Sequence, residues 1–194
     1  MHGLWDLENK WTGPFLNSHT NLTEIREAMD LLWRNSVSSS KVVLGVGFYG
    51  RAFTARDPKC MEPGCLFKDA AKGGNCTREP GILMNSEIDE IVAERNIVPK
   101  LNKEAAVKIV AWDDQWVTYD DRETIQMKAD FARQLCLSGL MVWAISHDDR
   151  NATYSMALGA AAGRKDASWR RRGGDTIVKV PVPQCRWTAC GESA

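Results

Sequence analysis

Lys41-Val42-Val43-Leu44-Gly45-Val46-Gly47-Phe48-Tyr49 is the stretch on which the fold turns. It is short, mostly apolar and rich in valine, without polar alternation, so it predicts a strand buried on both faces. Just upstream, residues 20–36 predict an amphipathic helix. Leu22, Ile25, Met29 and Leu32 recur at helical spacing, Asn21 can cap the first turn, and Glu24 stands where it closes a capping box. Asn35-Ser36 and the Ser38-Ser39-Ser40 run end it. A helix followed by a continuous apolar strand is the repeating unit of a parallel α/β sheet.

The same unit recurs near the C-terminal end. A helix is predicted from about Asp121 to Cys136, with Ile125, Ala129, Ala132 and Leu135 as its apolar side. After Gly139 comes a second buried strand, Leu140-Met141-Val142-Trp143-Ala144-Ile145-Ser146, and then an alanine-rich helix near 152–162. The intervening chain differs. Residues 53–86 carry three cysteines among glycines and prolines and read as a disulfide-pinned excursion. Ser86 opens a helix with Ile88, Ile91 and Val92 on one face. Ala106–Trp112 and Trp116–Tyr119 flank Asp113-Asp114-Gln115 as a hairpin. Arg164–Pro183 is charged, contains glycine and ends in Pro181-Val182-Pro183, the composition of a linker. The final 184–194 begins a new cysteine-containing segment too short for a core of its own.

Composition narrows the function. The 194 residues carry 25 basic and 25 acidic side chains, which excludes a strongly cationic nucleic-acid binder. No apolar run approaches the roughly 20 residues of a membrane span. Tryptophan is over-represented, eight against three tyrosines and five phenylalanines, and an indole suits both a core and a sugar cleft. The six cysteines lack the spacing of zinc ligands and only three histidines accompany them, so disulfides are the better reading. Sequons at Asn21, Asn75 and Asn151 point with them to an oxidising, extracellular setting. The start, Met1-His2-Gly3-Leu4-Trp5-Asp6, is not a secretory signal. A signal is therefore expected on a part of the protein that precedes it.

In parallel α/β folds, chemistry sits at the C-terminal ends of strands. Those ends here carry Phe48-Tyr49-Gly50-Arg51 and Trp143 through Asp149. Taken alone, Trp143 reads first as a core residue, and Arg51 reads equally as a salt bridge to Asp6 or Asp148 or as a ligand contact. His147 next to Asp148-Asp149 reads as loop. Neither a phosphate-binding glycine loop, a Gly-x-Ser-x-Gly elbow nor a His-Glu-x-x-His metal site occurs.

Three motifs carry a resemblance. Val42–Phe53 (VVLGVGFYGRAF), Trp112–Asp121 (WDDQWVTYDD) and Met141–Asp149 (MVWAISHDD) closely resemble glycoside hydrolase family 18, with the nearest look to fungal class V, killer-toxin-like chitinases. The likeness runs from about residue 1 to 163. It implies an α/β fold: the C-terminal portion of a TIM (β/α)8 barrel with an inserted small α+β domain. On that template 21–35 resembles helix 6, 41–49 strand 7, about 53–118 the insertion, 121–136 helix 7 and 140–146 strand 8. A complete barrel needs on the order of 250 residues, so the barrel is expected to be incomplete in this chain.

The family hydrolyses β-1,4-linked N-acetylglucosamine with the substrate's own acetamide as nucleophile, an exception to the two-carboxylate scheme. The resemblance places its acid at the end of an Asp-x-x-Asp-x-Asp-x-Glu motif that is absent from these 194 residues. No catalytic residue is therefore expected in the chain, which is expected to be inactive alone. What the resemblance leaves is a cradle for chitin or chito-oligosaccharides. Trp143 is the floor of the −1 sugar, Tyr49 and Arg51 hydrogen-bond around it, Trp5 stacks beyond the scissile bond, and Trp116 and Tyr119 belong to the cleft wall. Cys60, Cys65, Cys76 and Cys136 are candidates for two disulfides, in any of three pairings. No metal or organic cofactor is implied. Cutting such a barrel after strand 6 also predicts a product that folds poorly or associates.

Overall fold

The computed structural model describes residues 2–163; the expected linker at 164–183 and the segment at 184–194 lie outside the described residues. Two sheets organise them. The first is a parallel pair, β1 (Val43–Gly47) and β8 (Gly139–Trp143), in register from Val43 opposite Gly139 to Gly47 opposite Trp143. Parallel strands need a long crossover, and everything between residues 48 and 138 is that crossover.

The period of two sorts β1 and β8 into faces. Leu44, Val46, Leu140 and Val142 turn toward α3 (Arg122–Gln134), α4 (Thr153–Ala161) and α1 (Leu22–Arg34), packing with Phe48, Ile125, Ala129, Phe131, Ala132 and Tyr154. Val43, Met141 and Trp143 lie on the other face and are exposed. The expectation of strands buried on both faces thus holds for one face only, because no described element packs on the other.

The helices start where their caps allow. Asp121 accepts from the backbone N–H groups of Glu123 and Thr124, both at 3.0 Å, while the Thr124 hydroxyl accepts from the Asp121 N–H at 3.0 Å. This reciprocal arrangement fixes the first turn of α3. Asn21 caps α1 through Thr23 N–H at 2.9 Å. Glu24 does not close the expected box; its carboxylate is turned to His2 Nε2 at 2.6 Å. Trp33 joins Leu22, Ile25 and Met29 on the packed face of α1.

The second sheet is antiparallel. It contains β2 (Tyr49–Ala55), β3 (Phe67–Ala70), β4 (Ile82–Met84), β5 (Lys100–Asn102), β6 (Val107–Trp112) and β7 (Gln115–Tyr119), with α2 (Asn85–Arg95) packed on it. Their order is β3-β2-β7-β6-β5, and β4 pairs with the first half of β2. The expected hairpin is β6–β7, turned by Asp113 at φ +51° and Asp114. One boundary and one segment differ from expectation. The antiparallel unit begins at Tyr49 rather than 53, since Tyr49–Arg51 already pair with Met84–Ile82. The 53–86 excursion contains two strands, β3 and β4, which the density of glycine and proline conceals. Gly50 is required where β2 passes β7, because a Cβ there would lie 2.5 Å from Val117 Cγ2 and 2.6 Å from the Thr118 carbonyl oxygen.

Cys60 and Cys65 form a disulfide with a Cα separation of 5.7 Å. Cys76 is a free, exposed thiol, and Cys136 is disulfide-bonded but not to Cys76. The expectation of two bridges among these four is corrected accordingly. Cys76 sits in a loop tied to α2, whereas Cys136 follows α3 at φ +53°, between Leu135 and Leu137, which pack with α1.

That loop hangs on Glu87, which is 4% exposed. Its carboxylate accepts from the N–H groups of Cys76 and Thr77 at 2.8 Å, from Met84 N–H at 2.9 Å and from the Thr77 hydroxyl at 3.0 Å. Burial opposes ionisation, but these donors outweigh it and hold the carboxyl below its ordinary value of 4.5. A depressed carboxyl contributes stability that is present above its unfolded value and lost as pH falls through the folded one. We expect the melting temperature to drop on acidification below about 4.5, and Glu87→Gln to lower stability at neutral pH while flattening that drop. Thermal melts of both proteins at neutral and acid pH check this, and equal acid slopes would contradict it.

Candidate functional site

The site lies where β1 ends and β2 begins. Phe48 donates its N–H to the Trp143 carbonyl oxygen at 3.1 Å, which ties the start of the antiparallel unit to the end of β8. Tyr49 and Arg51 follow on the same face of β2, since Gly50 between them points into the sheet core. They are therefore residues of a second strand that follows directly on the end of β1.

Trp5 is presented by a short turn at Leu4–Asp6. Asp6, 1% exposed, holds the turn by accepting from Gly3 N–H at 3.0 Å and from the Thr12 hydroxyl at 2.6 Å. The Trp5 ring lies over Gly3, where a Cβ would push it aside. Arg51 spans the gap between the two segments: its Cζ is 5.0 Å from the Trp5 ring centroid and 5.9 Å from that of Tyr49. Both distances suit cation–π attraction. Asp6 and Asp148 do not pair with Arg51. Asp6 is committed as above, and Asp148 accepts from the N–H groups of Tyr154 and Ser155. Arg51 makes no ion pair among the described residues, and its Nε is buried without a hydrogen-bond partner.

Two histidines flank Tyr49. The His19 ring is 5.9 Å away and its Nε2 lies 3.2 Å from the Tyr49 hydroxyl. The His147 ring stands edge-on at 5.9 Å, with its Nδ1 buried and unpartnered. His147 thus sits in a short 3-10 turn, Ile145–His147, that brings its ring against Tyr49. His19 is a residue that spacing along the chain could not reveal, lying thirty positions before Tyr49 in a polar segment. Trp11 is 96% exposed on a turn whose N–H groups bond Asn9 Oδ1.

Trp143 is 68% exposed, so it is not a core tryptophan. Its peptide bond to Ala144 is cis. Trp116 and Tyr119 are the reverse case. Trp116 is fully buried among Phe53, Phe67 and Leu16, and Tyr119 is buried with Ala52, Val110 and Val117. Neither can wall a cleft, because every residue of β7 is enclosed between β2, β6 and the packing on both sheet faces. Of the sequon asparagines, Asn75 and Asn151 are exposed and Asn21 is half-buried as the cap of α1.

Fold and site together define an α/β protein with an antiparallel unit inserted between two parallel strands, and with Trp5, Tyr49 and an Arg51 guanidinium without an ion pair among the described residues where that unit begins. The model of glycosyl hydrolases family 18 matches residues 3–148, and the chain belongs to that family. Among curated relatives, Probable chitinase LysM11 of Penicillium expansum is 28% identical over 174 residues, covering 78% of this chain and 16% of its own length. Secreted chitinase LysM12 of the same fungus is 30% identical over 161 residues, covering 74% of this chain and 11% of its own. The chain thus spans a sixth or less of the length of these relatives. Human YKL-39, described as a pseudo-chitinase with retained chitooligosaccharide binding properties, shares the fold. Its TM-score is 0.72 at 23% identity, over 84% of this chain and 47% of that one. Among the described residues, no helix is long and apolar enough to cross a membrane.

Proposed function

We propose that the chain is the cleft-bearing part of a chitinase-type glycoside hydrolase, nearest to the fungal class V, killer-toxin-like group, and that it binds chitin or chito-oligosaccharides. One observation carries this reading within the family: Trp143 is exposed at the end of β8, which Phe48 ties to the start of β2, where Arg51 lies over the Trp5 and Tyr49 rings without an ion pair among the described residues. An open indole face stacks on the apolar face of a pyranose, and a free guanidinium bonds its hydroxyls. Trp143 is the floor of the −1 sugar, Tyr49 and Arg51 hold its rim, and Trp5 stacks on the aglycone side. In this reading residues 1–163 form the C-terminal part of a barrel, with 49–119 as its insertion, 164–183 as linker and 184–194 as the start of another segment.

The parent enzyme cleaves β-1,4-N-acetylglucosamine linkages with retention, the substrate's acetamide oxygen attacking the anomeric carbon. The acid that protonates the leaving oxygen belongs to a motif these 194 residues lack, so the chain alone binds without hydrolysing. That same absence favours a second reading, a chitin-binding or toxin-associated module without catalysis. Extracellular location is supported by the Cys60–Cys65 bridge and by the secreted relative.

The deglycosylated mass of the native polypeptide, detected with an antibody to 86–118, separates the two. A species far heavier than 21.7 kDa that releases reducing ends from chitotetraose supports the enzyme. A species at 21.7 kDa that binds chitotetraose without cleaving it supports the module, and one that binds no saccharide defeats both.

A further inference from the structure

The cleft hydroxyl of Tyr49 has a fixed partner behind it. His19 Nδ1 is 2.7 Å from the His2 carbonyl oxygen, and a carbonyl only accepts, so Nδ1 carries the proton. In the neutral ring Nε2 is then a bare acceptor, and the Tyr49 hydroxyl at 3.2 Å donates to it. With its single proton engaged there, the phenolic oxygen has only lone pairs to offer the cleft. Burial disfavours the charged form of His19 and the nearby Arg51 charge adds to this, against the opposing pull of the His2 carbonyl, so the ring stays neutral below its ordinary range. Trp5 packs edge-on against the same ring, at 6.3 Å. Close by, Arg51 Nε is a buried donor without a partner.

We infer that His19 is a positioning residue that sets the polarity of the Tyr49 hydroxyl, so that Tyr49 accepts a hydrogen bond in the cleft and selects a donor on the ligand. Beside the Arg51 guanidinium, which lies over the Trp5 and Tyr49 rings, this reads a donor–acceptor pair, as a sugar hydroxyl pair or an acetamide presents. A ligand bearing acceptors alone meets lone pairs at Tyr49 and is rejected. The inference rests on the saccharide-binding reading for the identity of the ligand, but the polarity itself does not.

Two measurements on the full chain test it. His19→Phe keeps a ring between Trp5 and Tyr49 but removes the acceptor, and Tyr49→Phe removes the hydroxyl. In chitotetraose titrations at neutral pH each change weakens binding roughly five-fold, and the double variant is no weaker than Tyr49→Phe alone. An equal loss from His19→Phe in the Tyr49→Phe background overturns the inference, since His19 would then act by another route. Nitrogen-15 NMR of the histidine-labelled chain reads the polarity without sugar. The expected result is a protonated Nδ1 and a bare Nε2 on His19, with the Nε2 signal moving in Tyr49→Phe. A protonated Nε2 overturns the inference. The expected tautomer without any chitotetraose binding upholds it and overturns the saccharide reading instead.

Discussion

Lys128→Ala is expected to cost roughly 3–5 kcal/mol of folding stability, a large share of the 5–15 kcal/mol that holds a typical domain together. Lys128 and Asp120 are almost wholly buried and form an ion pair. The ammonium also donates to the Thr20 hydroxyl at 2.9 Å, while Asp120 accepts from the Thr124 hydroxyl at 3.0 Å and from Thr20 at 3.2 Å. The Asp120 carbonyl oxygen in turn accepts from Asn85 Nδ2 at 2.9 Å. This network joins α3, α2 and the segment before α1, so it ties the helical layer to the antiparallel unit. Burial lowers the Lys128 pKa, and Asp120 opposes that effect. Removing the cation leaves an unpaired carboxylate that is 1% exposed, which is the source of the penalty. A urea titration reads it directly. Asp120→Asn combined with Lys128→Met should recover most of the loss, because neither charge is then stranded. A Lys128→Ala protein within about 1 kcal/mol of the unsubstituted chain would show that the pair does not carry this joint.

Trp143→Ala is expected to weaken chito-oligosaccharide binding roughly thirty-fold or more, and to cripple turnover in a form that carries the catalytic acid. The indole is 68% exposed and packs little, so stability should move by no more than about 0.5 kcal/mol. That combination separates a stacking floor from a structural residue, whose loss would lower affinity and melting temperature together. Unchanged affinity or catalytic efficiency would sink the assignment.

The amphipathic helices were legible because their packing follows from period alone. Ile125, Ala129 and Ala132 recur on one side of α3 and all three are buried. The hairpin at Asp113-Asp114 was legible through turn chemistry. Strands β3 and β4 were not, being three or four residues long and stabilised by pairing with β2 rather than by a pattern of their own. The three motifs that mark the family were legible as motifs, yet a motif does not say which of its aromatics are open. Trp116 and Trp143 look alike in sequence, each a tryptophan within an apolar strand. One lies in a central strand enclosed on both faces, the other at the end of a strand pair with one face uncovered.

By itself, then, the sequence determined the alternation of helices and strands, the family and the set of residues from which a cleft could be drawn. These depend on local periodicity and on motif identity, both of which a linear chain displays. It took packing to show that Trp116 and Tyr119 are core, that Arg51 pairs with no acid among the described residues, and that His19 stands behind Tyr49. Burial, ion pairing and tautomer are properties of contacts between residues far apart in the chain, and they take a value only once the strands are in register and the helices are packed upon them.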